Sequence, residues 1–291
     1  MGALALAIVL LVAVASFSSA LWTQSPTHLD PVNRLQSPSA AHWFGTDNFG
    51  RDVFSRVVAG GQASLIIGLI VTLGTALLGV AAGLSSGFYS RVDMILMRLL
   101  DGLMAFPAIL LAIAMVAAMG ASLFNEVIAL SIVYFPRVAR VVRAATLQLK
   151  QLPFVEAAQA IGAGEWRILM RHVLQNALTP LIVQATFIFA EAILADASLS
   201  FLGLGVQPPQ PTWGNILGDS QPYLSVAPWF SVAPGLAIVV TVLSLNLVGD
   251  TIRDMLDPRS AHRATAATPA AVAAAVEIDE GEGGGEPGLP A

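Results

Sequence analysis

Long apolar stretches with few charged side chains alternate with polar segments along this chain. Residues 3–22 form the first stretch, and others follow at 62–88, 103–121, 126–139, 177–197 and 231–249. Because a membrane-spanning helix needs about 20 predominantly apolar residues, the pattern predicts an all-α integral membrane protein with about six transmembrane helices.

The first stretch, within residues 1–22, has a second interpretation as a cleaved signal peptide. A signal peptide begins with a basic region, whereas Met1, Gly2 and Ala3 include neither Lys nor Arg. We therefore expect residues 1–22 to remain in place as the first transmembrane helix.

The polar segments differ in composition, and each composition predicts a different kind of structure. Residues 23–60 contain prolines and a Gly/Asp/Asn cluster, which indicates a folded extracytoplasmic loop. Residues 61–255 contain the remaining spans, an amphipathic segment at 150–175 and a loop rich in proline and tryptophan at 203–229. Residues 261–291 are rich in Ala, Pro, Gly and Glu, which predicts a disordered cytoplasmic tail.

Composition agrees with a chain in lipid and excludes several chemistries. Of the 291 residues, 56% are hydrophobic and 11% are charged, whereas soluble proteins carry about 25% charged residues. The absence of cysteine excludes disulfides, thiolate zinc sites and cysteine nucleophiles. The net charge of -5 arises from acidic residues after Val276, so it does not indicate a nucleic-acid partner.

Lys and Arg are distributed unevenly between the two sets of predicted loops. If the N-terminus is cytoplasmic, the outer loops contain only Arg34, Arg51 and Arg56, and most other basic residues fall in inner segments. Because cytoplasmic loops are enriched in Lys and Arg, both termini are predicted to be cytoplasmic.

Motifs for catalysis are absent from this sequence. A P-loop needs a Gly-Lys pair for the phosphates of ATP, but Lys150 is the only lysine and it follows Leu149. The histidines are scattered without an HExxH pattern, and a Gly-x-Ser-x-Gly elbow is missing. We therefore predict that this chain is not an enzyme and holds neither a metal site nor an ATP site.

The segment after the fourth predicted span has the most informative pattern. From position 154 it reads FVEAAQAIGAG, and Phe154, Ala157, Ala158 and Ile161 recur at the spacing of one helical face. Gly162 is suited to end this short helix in a left-handed turn. The helix is either a docking element for a cytoplasmic partner or a loop helix at the membrane surface, and the pattern leaves both open.

Glu156, Ala157, Ala158 and Gly162 in this segment resemble the EAA loop of ABC importer permeases. In that family the loop sits in a groove of the ATPase subunit and transmits its closure, so the resemblance implies a coupling role for these four residues. The family pattern continues to a Leu-Pro pair, whereas Gln175 stands where the proline is expected.

Three other runs are similar to the C-type subunit of dipeptide, oligopeptide and nickel permeases. They read HWFGTDNFGRDVFSR, ASLSFLGLGVQPP and NLVGD, starting at His42, Ala197 and Asn246. The resemblance implies a type I ABC importer permease fold, and it implies that the first run belongs to the outer loop where a substrate-binding protein docks. The candidate residues for this loop and its docking are Gly45, Thr46, Asp47, Gly50, Arg51 and Asp52.

The first run also has a physical interpretation, because it is rich in residues that form turns. We predict that Arg51 and Asp52 form an ion pair that fixes the loop. For each single residue, a purely structural turn is the alternative.

Gly79, Gly83 and Gly87 form a ridge of small residues on the second predicted span. Such ridges let helices approach closely in lipid. We predict that the ridge packs within this chain, and contact with a partner permease is the alternative.

Two acidic residues lie in the fifth predicted span. Charges at membrane depth are costly and usually face a cavity or a partner. We hypothesise that Glu191 lines a translocation path and meets a cationic substrate group, with a hydrogen bond to a neighbouring helix as the alternative. Asp196 belongs to one of the family-like runs, and we assign it to the path or to helix packing near its outer end.

The resemblance implies that the chain works as one part of a larger transporter in the cell membrane. The implied partners are a homologous second permease, two ATPase subunits or domains that bind ATP and Mg, and an extracytoplasmic substrate-binding protein. The implied function is ATP-coupled import of peptides by alternating access. Import of nickel or another small solute is the alternative, and an ATP-independent secondary transporter is the hypothesis from a different class.

Overall fold

Helices make up almost all of the regular structure in residues 2–256, the part of the chain that the computed structural model describes. They are α1 (Gly2–Phe17), α2 (Ser19–Trp22), α3 (Val53–Phe88), α4 (Ser90–Met104), α5 (Ala108–Met119), α6 (Leu123–Leu149), α7 (Pro153–Ala160), α8 (Glu165–Ile168), α9 (Leu174–Phe201), α10 (Trp213–Ser220) and α11 (Trp229–Leu256). The chain divides into two units after Asp250, and residues 251–256 of the second unit are described as the end of α11. The tail predicted at 261–291 lies outside the described residues.

Among the described residues, three helices are long and apolar enough to cross a membrane: α3, the continuous helix Glu165–Phe201, and α11. A fourth crossing results if α4 and α5, which are bent by 90° relative to each other, form one broken span. The first helix, α1, is apolar but has only 16 residues, and α6 has 27 residues and carries three arginines. The predicted count of six transmembrane helices therefore stays a prediction.

Two helix ends differ from the predicted bounds for identifiable chemical reasons. The helix α3 begins at Val53, inside the segment predicted as loop, because the Asp52 carboxylate accepts a hydrogen bond from the Ser55 backbone N–H at 2.8 Å and caps the helix. The third predicted span is split between α4 and α5, which are separated by residues 105–107. Proline has no N–H and disfavours a helical residue before it, so the break falls at Pro107.

The helices α3, α6 and α9 pack around a shared buried cluster. Its fully buried members include Val71 of α3, Leu130 and Val138 of α6, and Ile188 and Leu199 of α9. Because lipid is as apolar as these side chains, the association depends on close packing and hydrogen bonds more than on the hydrophobic effect.

The glycine ridge of α3 provides this close packing, and it faces α6. A Cβ atom added at any of the three glycines would overlap atoms of this chain. The distances from the added atoms to Cβ atoms of α6 are 2.5 Å for Gly79 to Val138, 2.6 Å for Gly83 to Val142 and 2.5 Å for Gly87 to Thr146. The prediction that the ridge packs within this chain is therefore confirmed.

Gly83→Ala is expected to lower the free energy of unfolding by about 1–3 kcal/mol, the usual cost of overpacking a well-packed contact. The new methyl group would lie 2.6 Å from the carbonyl oxygen of Ala139, so α3 and α6 must separate. Thermal melting of the detergent-solubilised protein measures the effect. The control is Gly102→Ala in α4, where nothing lies within 4 Å of the added atom, and equal melting temperatures for the two variants would contradict the prediction.

Candidate functional site

The short helix α7 is bounded by the residues that suit its two ends. Pro153 occupies its first turn, where the missing N–H costs nothing. Gly162 has φ +80°, and its N–H donates to the carbonyl oxygen of Gln159 at 2.9 Å. The left-handed turn predicted at Gly162 is confirmed, and it separates α7 from the next helix.

One side of α7 is attached to the rest of the protein and the other side is free in this chain. Val155 and Ala158 are buried in the cluster that also contains Ile168. Glu156 and Ala157 are exposed. The two alanines of the predicted coupling loop therefore differ, because Ala158 attaches the helix and Ala157 faces outward.

Large apolar side chains surround the exposed face of α7. Ile161 is 85% exposed and Trp166 is 71% exposed, and Phe154 is also exposed. Exposed apolar side chains grouped in this way are typical of protein interaction sites. The geometry thus favours the docking interpretation of α7 over a helix that only covers the chain's own surface.

Two hydrogen bonds connect the regions beside α7 to the end of α3. The Lys150 ammonium group donates to the carbonyl oxygen of Phe88 at 3.2 Å. The Tyr89 hydroxyl donates to Oε2 of Glu165 at 2.9 Å, and this bond raises the pKa of Tyr89. The segments on both sides of α7 are therefore held to the end of α3 by polar contacts.

The loop that precedes α3 is organised by Asp47, which is 0% exposed. Its Oδ2 atom accepts from Nε of Arg51 and from Nη1 of Arg56, both at 2.6 Å. Its Oδ1 atom accepts from the backbone N–H groups of Phe49 and Arg51 at 2.8 and 2.9 Å. Both guanidinium groups also contact Oδ2 of Asp219 at 3.3 Å, so a residue of α10 completes the network.

The helix α10 is held against α3 in the position that this network requires. The indole Nε1 of Trp213 donates to the carbonyl oxygen of Val57 at 2.8 Å. Trp213 is fully buried and opens α10, and Asp219 lies near its end. Sequence reasoning did not identify Arg56 or Asp219 as members of the network, and Asp219 lies more than 160 positions from both arginines.

The other candidate residues of this loop shape its backbone. Gly45 and Gly50 have φ values of +69° and +77°, which other residues rarely adopt. The Thr46 hydroxyl donates to the carbonyl oxygen of Asn33 at 2.5 Å and accepts from the backbone N–H of Gln36 at 2.8 Å. These three residues therefore fix the backbone conformation of the loop.

The prediction that Arg51 and Asp52 form an ion pair is wrong. Arg51 binds Asp47 and Asp219, whereas Asp52 contacts Nδ1 of His42 at 2.9 Å and caps α3 through Ser55. Neighbouring positions in an extended chain point in opposite directions, which favours partners farther along the sequence over the adjacent residue.

All six residues predicted for docking in this loop are buried, so they offer little surface to a partner. The exposed side chains of the loop include Trp43 and Phe49. The Trp43 ring packs against Phe54 at a centroid distance of 4.9 Å, and Phe49 covers the Arg51 guanidinium at 4.8 Å. The buried polar network therefore positions aromatic side chains at the surface.

Glu191 lies at a cavity of about 450 Å³ between α5, α6 and α9. Nη1 of Arg137 donates to its two carboxylate oxygens at 2.6 and 2.5 Å. The Arg137 guanidinium also lies over the ring of Tyr134, at 5.8 Å from its centre. Glu191 thus bonds a neighbouring helix, which was the alternative considered for it, and its place in a translocation path stays a prediction.

Asp196 lies away from this cavity, fully buried between helices. The Glu126 carboxyl of α6 faces it, and the Ser200 hydroxyl donates to its Oδ1 at 3.2 Å. Both acidic side chains are 0% exposed, and the ion pairs among the described residues include neither of them. Asp196 therefore contributes to helix packing in this conformation, and Glu126 is a partner that sequence reasoning did not identify.

The sequence matches a family model described as the binding-protein-dependent transport system inner membrane component, over residues 75–262. A putative peptide transport system permease protein of Brucella suis is 48% identical and covers 87% of this chain and 86% of its own length. The dipeptide transport system permease protein DppC of Alkalihalophilus pseudofirmus is 47% identical over 84% of this chain and 81% of its own length. The glutathione transport system permease protein GsiD of Pectobacterium atrosepticum is 43% identical over 87% of this chain and 84% of its own length.

A solved structure is similar in fold. It is an inward-facing form of the MetNI methionine ABC transporter, with a TM-score of 0.57 and 19% identity over 69% of this chain and 96% of that chain. The type I ABC importer permease fold predicted from the sequence is confirmed. With the family match over more than half of its length, the chain belongs to the inner membrane components of binding-protein-dependent transport systems, as a multi-pass membrane permease.

Proposed function

We propose that this chain is one of two permease subunits of an ABC importer that takes up peptides. The observation that carries the proposal is α7, a short helix fixed on one face by Val155 and Ala158 and exposed on the other, with exposed apolar side chains around that face. Relatives named for peptide, dipeptide and glutathione transport match 84–87% of this chain, and their names support the substrate class.

The chain performs no bond chemistry in this proposal. Two ATPase subunits or domains bind ATP and Mg, and α7 sits in a groove of one of them. Glu156 and Ala157 contact the ATPase, Ala158 attaches the helix to the spans, and Gly162 ends it. With α7 facing the cytoplasm, four of the six predicted spans before it and two after it, both termini are cytoplasmic.

The loop before α3 is extracytoplasmic and receives the substrate-binding protein. Gly45, Thr46 and Gly50 set its backbone, and the network of Asp47 and Arg51 holds it on α10. Asp52 fixes its connection to α3. The exposed aromatic residues of this loop make the contact with the binding protein.

The transport cycle is alternating access between two arrangements of the helices. Closure of the ATPases moves α7, and the contacts of α7 pass this motion to α3 and α9. The path opens outward to receive the substrate, and hydrolysis returns it. Glu191 lines the path and meets a cationic group of the substrate, and the buried Asp196 supports the helices around it.

The test uses the complete transporter in lipid vesicles, assembled from this chain, its partner permease, its ATPases and its binding protein. Uptake of a labelled dipeptide should require ATP on the side of the vesicle membrane where the ATPases lie. It should stop when ATP is replaced by a non-hydrolysable analogue. Uptake of Ni²⁺ in place of the dipeptide would favour the small-solute alternative. Uptake that needs an ion gradient and no ATP would overturn the proposal in favour of a secondary transporter.

A further inference from the structure

The ion pair between Arg137 and Glu191 is much more exposed than the other charge network described above. Their side chains are 42% and 40% exposed, although they lie on the packed helices α6 and α9. The cavity they share has otherwise mostly apolar or small walls, such as Ala108, Ile109 and Leu194. In a path with apolar walls, a charged substrate interacts most strongly with a charged pair of side chains.

The geometry of the pair allows exchange with a substrate. Both side chains are open to the cavity, so a substrate can reach either of them. A single nitrogen of Arg137, Nη1, makes both bonds to Glu191, and a guanidinium has five N–H donors in total. The ring of Tyr134 gives the guanidinium a second contact at the cavity wall, which does not depend on Glu191.

We propose that Arg137 and Glu191 form a binding site for the two charged ends of a zwitterionic substrate. Glu191 takes the ammonium group of a short peptide, and Arg137 takes its carboxylate. This inference rests on the proposed peptide import and deepens it, because it assigns a specificity-determining pair to the path.

When the Arg137–Glu191 ion pair is exchanged for contacts with the substrate, the site stays electrically neutral at every stage. In the empty state Arg137 and Glu191 neutralise each other, so the cavity carries no net charge. When the substrate arrives, one ion pair is replaced by two, and neither end of the peptide lies uncompensated in a region where isolated charges are costly. When the substrate leaves, the original pair forms again and helps to release it.

The span of the substrate limits which peptides use both contacts. An extended chain covers about 3.3–3.6 Å per residue, so a dipeptide spans roughly 7 Å and can reach side chains on two adjacent helices. The ends of a long peptide are too far apart to meet both residues together. The contribution of the pair should therefore be largest for dipeptides.

The experiment measures ATP-dependent uptake by the complete transporter of alanyl-alanine, its N-acetyl derivative and its C-terminal amide. Each variant's rate is divided by the wild-type rate for the same compound, which cancels the preference of the binding protein. We expect Glu191→Gln to lower the rates of alanyl-alanine and the amide by about tenfold and to spare the N-acetyl compound. Arg137→Gln should lower the relative uptake rates of alanyl-alanine and the N-acetyl compound and leave that of the amide unchanged. Arg137→Lys, which keeps the positive charge, should restore part of the lost rate.

A uniform loss for all three compounds, or no loss for any, would overturn the inference, since a pair that only connects two helices cannot distinguish the ends of a peptide. The matched control is the other exposed ion pair of α6, Arg140 with Asp101, which does not line the cavity. Its variants Arg140→Gln and Asp101→Asn should leave the ratios between compounds unchanged. A wild-type complex that imports none of the three compounds would instead refute the proposed peptide import.

Discussion

Glu156→Lys is expected to lower ATP-dependent uptake by at least about tenfold and to weaken copurification of the ATPase subunits. The side chain is exposed on α7, next to the apolar residues that face away from this chain. Reversing its charge inside an interface opposes like charges or leaves a partner's cation unpaired, and such contacts cost several kcal/mol. Because Glu156 has no packing role in this chain, the variant's own thermal stability should stay within about 0.5 kcal/mol of the wild type.

Two further variants separate a specific contact from a general effect of charge. Glu156→Gln removes the charge but keeps the shape, so it should reduce uptake less than the lysine variant does. Gln151→Lys introduces a lysine at an exposed position just before α7 and should leave copurification nearly unchanged. If Glu156→Lys leaves both copurification and uptake intact, α7 does not couple this chain to an ATPase.

Asp47→Asn should cause the largest loss of stability among single substitutions in the loop before α3. The asparagine can still accept the backbone N–H groups, but Arg51 and Arg56 lose the buried carboxylate that both bind at 2.6 Å. Removing one member of a buried ion pair costs about 3–5 kcal/mol, because the remaining charge stays in a poorly solvated place. Thermal melting in detergent and the yield of folded protein report the loss.

The comparison for this loop is an acidic residue in an exposed pair. Asp101 and Arg140 are 60% and 46% exposed, so Asp101→Asn should cost less than about 1 kcal/mol. Adding Arg51→Gln to Asp47→Asn removes one of the two stranded cations and should recover part of the stability. A loss for Asp47→Asn no larger than that for Asp101→Asn would mean that the network does not hold the loop.

Features that depend on neighbouring residues could be predicted well from the sequence. The turn at Gly162 followed from a glycine placed after one short apolar-faced helix, and φ +80° confirms it. The ridge of Gly79, Gly83 and Gly87 needed only the regular spacing of small residues along one helix. The turn is fixed by local backbone geometry, and for the ridge the position of the glycines on one face of α3 is likewise local, although its packing against α6 is not.

Features that depend on distant partners could not be predicted in this way. Arg51 was paired with its neighbour Asp52, whereas its second partner, Asp219, lies 168 positions away. The sequence suggests a translocation path for Glu191 but does not indicate its partner Arg137, which is 54 positions earlier on another helix. The spacing of charges along a chain does not indicate which helices pack together.

By itself, the sequence determined that this chain is a membrane protein with a short helix between two of its predicted spans and no P-loop, because hydropathy, length and local spacing are properties of single segments. Only the tertiary structure decided that Ala158 is buried while Ala157 is free, that Asp47 is the centre of the loop before α3, and that Asp196 faces Glu126. Each of these facts depends on which helix faces bury one another. Which helix faces pack together depends on the folded chain as a whole, so it cannot be predicted from a single segment.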